Sequence, residues 1–287
     1  AGSILSIAEA LTNIVWAPLS EGLDSVSLSA NWMWPCKNEG EDARLYRAVE
    51  ACSDFACSLG INIPTGKDSL SMTQKYGKDK VYSPGTVIIS AGAEVSDIRK
   101  VVSPVLRTGI DSTVYYIDFS FDKLKLGGSA FAQSLDKIGK EVPTVQDSEY
   151  FANAFNAVQE LINKELILAG HDISAGGMIT TMLEMNFANT EGGLEVSLDE
   201  IPEKDLVKIL FSENPGILIQ VEKTDEVEKI LKKAGVAFIR LARPCDERHL
   251  LIHKDGADYQ FFIDHLRDVW FESSYLLDCK QSGEKAA

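Results

Sequence analysis

The chain contains no run of eighteen apolar residues and no basic-then-apolar leader. A membrane span and a secretory signal are therefore not expected. Basic residues are scarce: 28 Lys and Arg stand against 43 Asp and Glu, giving a formal charge of −15. No Lys/Arg run forms a local basic stripe, so a phosphate backbone would be repelled and nucleic acid is not an expected partner. A nucleotide is still admissible, because a divalent cation can bridge carboxylates to phosphates. Cysteines are few and scattered (Cys36, Cys52, Cys57, Cys245, Cys279), with no C-x-x-C pair of the zinc or redox kind. Cys52 and Cys57 fall in one predicted helix about 140° apart, so they share no ligand face. Reduced thiols and a cytoplasmic location are the expectation, and internal repeats and low-complexity stretches are also lacking.

What is present is an ordinary globular composition, 45% apolar and 25% charged, over a length that suits two domains. The stretch "ILSIAEALTNIVWAPL" predicts a helix over Ile4–Trp16, with Ile4, Ile7, Ala8, Leu11, Ile14 and Val15 on one wide face and Pro18 as the stop. A domain that opens inside a buried-looking helix is expected to be a piece of something longer. A loop holding "NWMWP", a helix over Glu41–Leu59 and a strand in "GTVIISAGAEV" follow. Turn signals in "SPVLRTG" place a boundary there. Beyond it come the strand "STVYYIDF", a helix over Ser148–Glu165, a helix from Gly177, a helix over Asp205–Leu210, the strand "GILIQVE", a helix over Thr224–Ala234 and the strand "VAFIRLA". The mixture predicts an α+β fold with domains over residues 1–103 and 104–262 and an extension over 263–287.

Three short stretches carry residues suited to chemistry. Glu9 and Asn13 are the polar anomalies of the first helix; four residues apart, they project from one face and offer oxygens suited to Mg²⁺. A solvated stripe accounts for the same pair. "GHDISAGG" sets His171, Asp172 and Ser174 together before paired glycines. Any one of the three could cap the following helix, but a cap needs only one polar side chain. "PTGKDSLSM" reads as a polar turn in which Lys67 and neighbouring backbone N–H groups could meet a phosphate. It is not a Walker A loop, since Ile61 stands where the first glycine is required. The glycine pair of "LGGS", residues 126–129, is a weaker signal of the same kind.

In this order, "AEALTN", "LSANWMW", "IPTGKDSLSM", "KLGGSAFAQ", "GHDISAGG", "LFSENPG" and "LRDVWFESSYLLD" resemble the large single-chain phosphoribosylformylglycinamidine synthases, from about residue 4 to residue 278. That family belongs to the aminoimidazole ribonucleotide synthetase superfamily. The resemblance implies two domains like the N-terminal and C-terminal domains of that synthetase, the first lacking its start, and an extension toward a glutaminase domain outside this sequence. It also implies a place in ATP- and glutamine-dependent amidation of formylglycinamide ribonucleotide, a step of purine biosynthesis, as most of the second synthetase unit. Carried onto this sequence, the Mg²⁺ ligands would be Glu9, Asn13 and Asp172. Ser174 would touch ATP or ADP, and Lys67 and Ser69 are candidate substrate contacts. The resemblance further implies that the nucleotide site is auxiliary in the whole enzyme. Ala175 departs from the family, many members of which carry an acidic residue there.

Several expectations follow from this reading. Glu9 and Asn13 should meet Asp172 across the interdomain cleft. Each domain should have a mixed sheet covered by helices on one side, and the open face of the first sheet should be apolar, so that the isolated chain pairs with a copy of itself or exposes that patch. The glutaminase cysteine lies elsewhere, because none of the five here sits in a nucleophile-elbow context. Two rival readings are a hydrolase using His171 as a base, which lacks an accompanying nucleophile motif, and a catalytically silent interaction domain of the same assembly.

Overall fold

The computed structural model describes residues 1–282. Its first elements are α1 (Gly2–Ile14), β1 (Ser27–Met33), α2 (Glu41–Ser58), β2 (Asn62–Ser69), β3 (Thr73–Tyr76), β4 (Asp79–Tyr82) and β5 (Thr86–Gly92). The three-to-four spacing of Ile7, Ala8, Leu11 and Val15 makes α1 amphipathic, and all four side chains are buried. The sheet runs β2-β1-β5, with β1 parallel to β2 and antiparallel to β5. Alternation along β1 sends Leu28, Ala30 and Trp32 toward α1 and α2, where Ile63, Ile89 and Ala91 join them.

Three expectations fail in this domain. "PTGKDSLSM" is not a phosphate-cradling turn: Pro64 to Ser69 continue β2, and Gly66 lets that strand approach the Ala30 carbonyl closer than any Cβ would allow. "NWMWP" likewise begins as the end of β1 rather than as a loop. The open face of the sheet is also not apolar. Register places Ser29 beside Ser90 and Thr65, and Asn31 beside Lys67 and Ile88. Met33 and Ile88 are its apolar members.

The second set of elements is β6 (Thr113–Asp118), α3 (Ala130–Ser134), α4 (Ser148–Asn163), β7 (Ala169–Ile173), α5 (Gly177–Phe187), β8 (Gly193–Ser197), α6 (Leu206–Phe211), β9 (Gly216–Val221), α7 (Thr224–Lys233), β10 (Phe238–Cys245), β11 (His249–Lys254), β12 (Ala257–Phe262) and α8 (Ile263–Ser282). Seven strands form one mixed sheet in the order β12-β11-β8-β10-β6-β9-β7, parallel only between β11 and β8. Helices cover both of its faces, not one. Tyr115, Ile117, Ile217 and Ile219 meet α4 and α7, whereas Val114, Tyr116 and Leu218 meet α5 and α6. Every residue of β9 is buried, which suits a strand packed on both sides.

One apolar core runs through both domains, from Ile7 and Leu11 of α1 and Phe55 of α2 to Phe151, Phe155 and Leu161 of α4. Gln159, buried in α4, donates to the carbonyls of Val15 and Ala17 and accepts from the Leu19 N–H. The boundary read at residues 103 and 104 falls in the irregular run between β5 and β6. That run is tied down by Val102 N–H to the Trp16 carbonyl and Gly170 N–H to the Ser103 carbonyl.

Candidate functional site

The first residues of "GHDISAGG" lie on a strand and not on a helix cap. His171 and Asp172 belong to β7 at the edge of the large sheet, and Ser174 starts the turn that follows. The cap of α5 is Gly176, with φ of 91°, and neither His171, Asp172 nor Ser174 bonds to the helix N-terminus through its side chain. Gly177 also has a left-handed φ, 76°, and a Cβ there would collide with the Leu210 carbonyl and the Phe211 backbone. The paired glycines thus serve a turn pressed against the end of α6.

Asp172 is buried, 6% exposed, and its backbone carbonyl accepts from the Thr181 hydroxyl of α5. His171 is gripped by two carboxylates, with Nδ1 3.4 Å from Asp172 Oδ1 and Nε2 3.3 Å from Glu184 Oε2. Burial opposes its charge, but hydrogen bonds to Asp172 and then Glu184 outweigh that cost and raise the imidazole to about 10. It is therefore a cation at neutral pH and not a free base, which removes the catalytic group of the hydrolase reading.

Across the interdomain cleft stands Glu9 of α1. Partial burial, then the charge of Asp172, then that of Glu213 push its carboxyl above the usual range. Residues 163 positions apart in the chain are thus near enough to feel each other's charge. Asn13, one turn on, donates its side-chain N–H to the Glu9 carbonyl at 2.9 Å. Glu9 sits at the junction of two hollows. A wider one of about 560 Å³ lies between Glu9, Asn13 and β5. A narrower one of about 220 Å³ is walled by Glu9, Gly128, Ser129, Ser174 and Glu213.

Not every expected residue comes to this place. Lys67 and Ser69 line neither hollow: they lie on β2, two strands beyond β5 and so about 10 Å from it. Among the described residues, no three His, Cys, Asp or Glu side chains converge on one metal-sized point. Glu9, Asn13 and Asp172 thus make a sparse set of oxygen donors rather than a closed cage.

Glu213 was not anticipated. Its Oε1 accepts from the Ala130 N–H at 2.7 Å and from the Gly176 N–H at 2.9 Å. Buried Asn214 beside it donates to Ser120 Oγ and the Lys123 carbonyl and accepts from the Lys125 N–H. The signal was two polar residues ahead of Pro215 and Gly216, between an apolar helix and a fully buried strand, where a free loop would not need an uncompensated charge.

Comparison with known proteins bears on the domains that carry these residues. Residues 1–94 match the family model of the FGAR-AT PurM_N-like domain, and residues 113–250 match that of the AIR synthase related protein, C-terminal domain. The chain is 38% identical over 279 residues to a probable chloroplastic/mitochondrial phosphoribosylformylglycinamidine synthase of Arabidopsis thaliana, and 35% identical over 285 residues to the phosphoribosylformylglycinamidine synthase of Homo sapiens. These alignments cover 96% and 97% of the chain but only 20% and 21% of those proteins, so it spans about a fifth of their length. Among solved structures, Thermotoga maritima PurL complexed with FGAR superposes with a TM-score of 0.68 at 17% identity, covering 93% of this chain and 42% of that one. The same protein complexed with ATP gives 0.67 at 13% identity, covering 92% and 41%. At those identities the likeness is one of fold.

Proposed function

We infer a function from the family to which the chain belongs, that of the phosphoribosylformylglycinamidine synthases, whose FGAR-AT PurM_N-like and AIR-synthase-related domains it carries in sequence. The chain is a synthetase segment of such an enzyme, a carbon–nitrogen ligase of purine biosynthesis, and contributes one Mg²⁺–nucleotide half-site. The observation that carries this reading is the meeting of Glu9 from the first domain with Asp172, Ser174 and Glu213 from the second.

Mg²⁺ fits the donors: it takes oxygen ligands, keeps several waters and accepts phosphate oxygens, so a sparse set from Glu9, Asn13 and Asp172 suffices. Bound there, the ion would neutralise phosphate charge, the electrostatic work common to phosphoryl transfer. Asp172 is held in place by β7 and the imidazolium of His171. Ser174 offers a hydroxyl to ATP or ADP at the wall of the narrower hollow, just before the N-terminus of α5. Lys67 and Ser69 remain candidate contacts for formylglycinamide ribonucleotide on the open sheet face, a separate surface from the hollows.

Ammonia release belongs to another part of the assembly. Burial pushes the Cys52 and Cys245 thiols up, away from the thiolate a glutaminase nucleophile requires. All five cysteines are free, as reduced cytoplasmic thiols would be, and among the described residues no helix is long and apolar enough to cross a membrane. The partners in this reading are the rest of the longer enzyme, nucleotide and formylglycinamide ribonucleotide.

The absence of a closed metal cage among the described residues favours a second reading, a silent domain that only completes the assembly. Thermal unfolding with and without Mg²⁺–ADP separates the two. At about a hundredfold excess over Kd, bound nucleotide adds about 2.7 kcal/mol to stability, and the melting temperature rises by several degrees. Asp172→Asn is expected to abolish that rise, and an unshifted native chain would establish the silent reading.

A further inference from the structure

Glu213 shares the cleft with Glu9 and Ser174, yet its hydrogen bonds mark it as something other than a metal ligand. Oε1 receives two backbone N–H groups, from Ala130 at 2.7 Å and Gly176 at 2.9 Å. Those donors open two different segments. Ala130 is the first residue of α3, just after the Gly127–Gly128 loop, and Gly176 is the cap of α5, just after Ser174. The residues flanking Glu213 are also fastened. On one side, the end of α6 lies so close to Gly177 that no Cβ fits between them. On the other, Asn214 is buried and bonds to the loop that follows β6 through Ser120, Lys123 and Lys125. Two segments, the loop between β6 and α3 and the turn before α5, therefore lean on Glu213 and Asn214, and both wall the cleft.

We propose that Glu213 is a positioning residue: a carboxylate latch that holds the glycine loop before α3 and the turn before α5 at a fixed spacing and so sets the width of the cleft. The proposal rests on the nucleotide-site reading for its functional consequence but not for the latch itself. Each N–H it accepts is an early helix donor with no partner inside its own helix, which is where a carboxylate oxygen bonds best. A glutamine could replace the geometry, since its amide oxygen accepts the same two bonds without the charge. An alanine could not, and both donors would then face a cleft where only water replaces the carboxylate.

Hydrogen exchange on the full chain, without nucleotide, reads the latch directly. In Glu213→Ala, amide exchange over residues 126–135 and 171–178 should speed up about tenfold, the effect of losing a hydrogen bond to a charged acceptor. Glu213→Gln should restore native exchange in both segments. Ala130→Pro removes one donor at the first helical position, where proline is well tolerated, so the fold survives even if Glu213→Ala does not. It should loosen residues 126–135 alone. Mg²⁺–ADP affinity should follow the same order, weakening about tenfold in Glu213→Ala and staying near native in Glu213→Gln. Unchanged exchange in Glu213→Ala and Ala130→Pro, or a Gln variant as loose as the Ala variant, overturns the latch. Loosened loops in a chain that binds no nucleotide would uphold the latch and sink the nucleotide reading.

Discussion

Gly170 shows how single residues hold the site together. It precedes His171 on β7, and the ring of Trp16, from the segment just after α1, occupies the place where its side chain would be. A Cβ at this position would overlap three ring atoms, and the rigid indole has to move as a body, dragging on the core that Val15 and Leu19 enter. Gly170→Ala is expected to lower unfolding free energy by about 1–3 kcal/mol, the usual cost of overpacking, with the urea midpoint falling at constant slope. On the nucleotide-site proposal it should also weaken Mg²⁺–ADP binding, because the strand that carries Asp172 would be displaced from Glu9. A variant as stable as the native chain would show that Trp16 swings away freely and does not register the two domains.

At the scale of elements, α7 is held by charge as well as by its apolar face. Glu228 accepts from Lys232 one turn on, from Arg240 of β10 and from the Tyr115 hydroxyl of β6. The Lys232 bond leads, burial opposes, and Arg240 and Tyr115 add to bring the carboxyl down to about 2. The folded-state value is thus below the unfolded one. The ionised carboxylate therefore stabilises above pH 4.5, and that contribution disappears as the pH falls toward 2. Since solvent screens these groups, its size is about 1 kcal/mol. Glu228→Gln should be less stable than native by that amount at pH 7 and indistinguishable from it near pH 2. A gap that persists in acid would mean that packing, not charge, accounts for the loss.

Elements differ in how far they could be read from residues. The helices α1, α4 and α7 have caps or apolar faces at helical spacing, and each was located within a few residues; Asp147 caps α4 with bonds to Glu149 and Tyr150 N–H. β7 was missed because five residues on an edge, four of them buried, that run into a pair of glycines look like a turn leading into a helix. β12 was missed for the opposite reason, since nearly all of its residues are exposed and none is buried. Glu9 and Asn13 were conspicuous as polar interruptions of an apolar face. Glu213 was not, because its role depends on loops 83 and 37 residues away in the chain.

The whole molecule has two family domains joined by a shared core, beside a second core that belongs to the larger domain alone, and that sharing decides how it unfolds. Domains joined by a linker alone melt separately, whereas here α1 and α2 bury their apolar faces against α4 of the second domain. The seam also contains Gln159, whose amide is fully hydrogen-bonded to Val15, Ala17 and Leu19. Removing that amide strands two carbonyls and one N–H in a buried place, at about 1–3 kcal/mol for each group that water fails to reach. The native chain should therefore unfold in a single calorimetric transition with equal van't Hoff and calorimetric enthalpies. Gln159→Ala should lower that transition or split it, with the small three-stranded domain melting first because it has too little core to stand alone. Two well-separated transitions in the native chain would mean that the shared core is only a contact between independent bodies. Glu9 and Asp172 would then be brought together by ligand and not held in register by the fold.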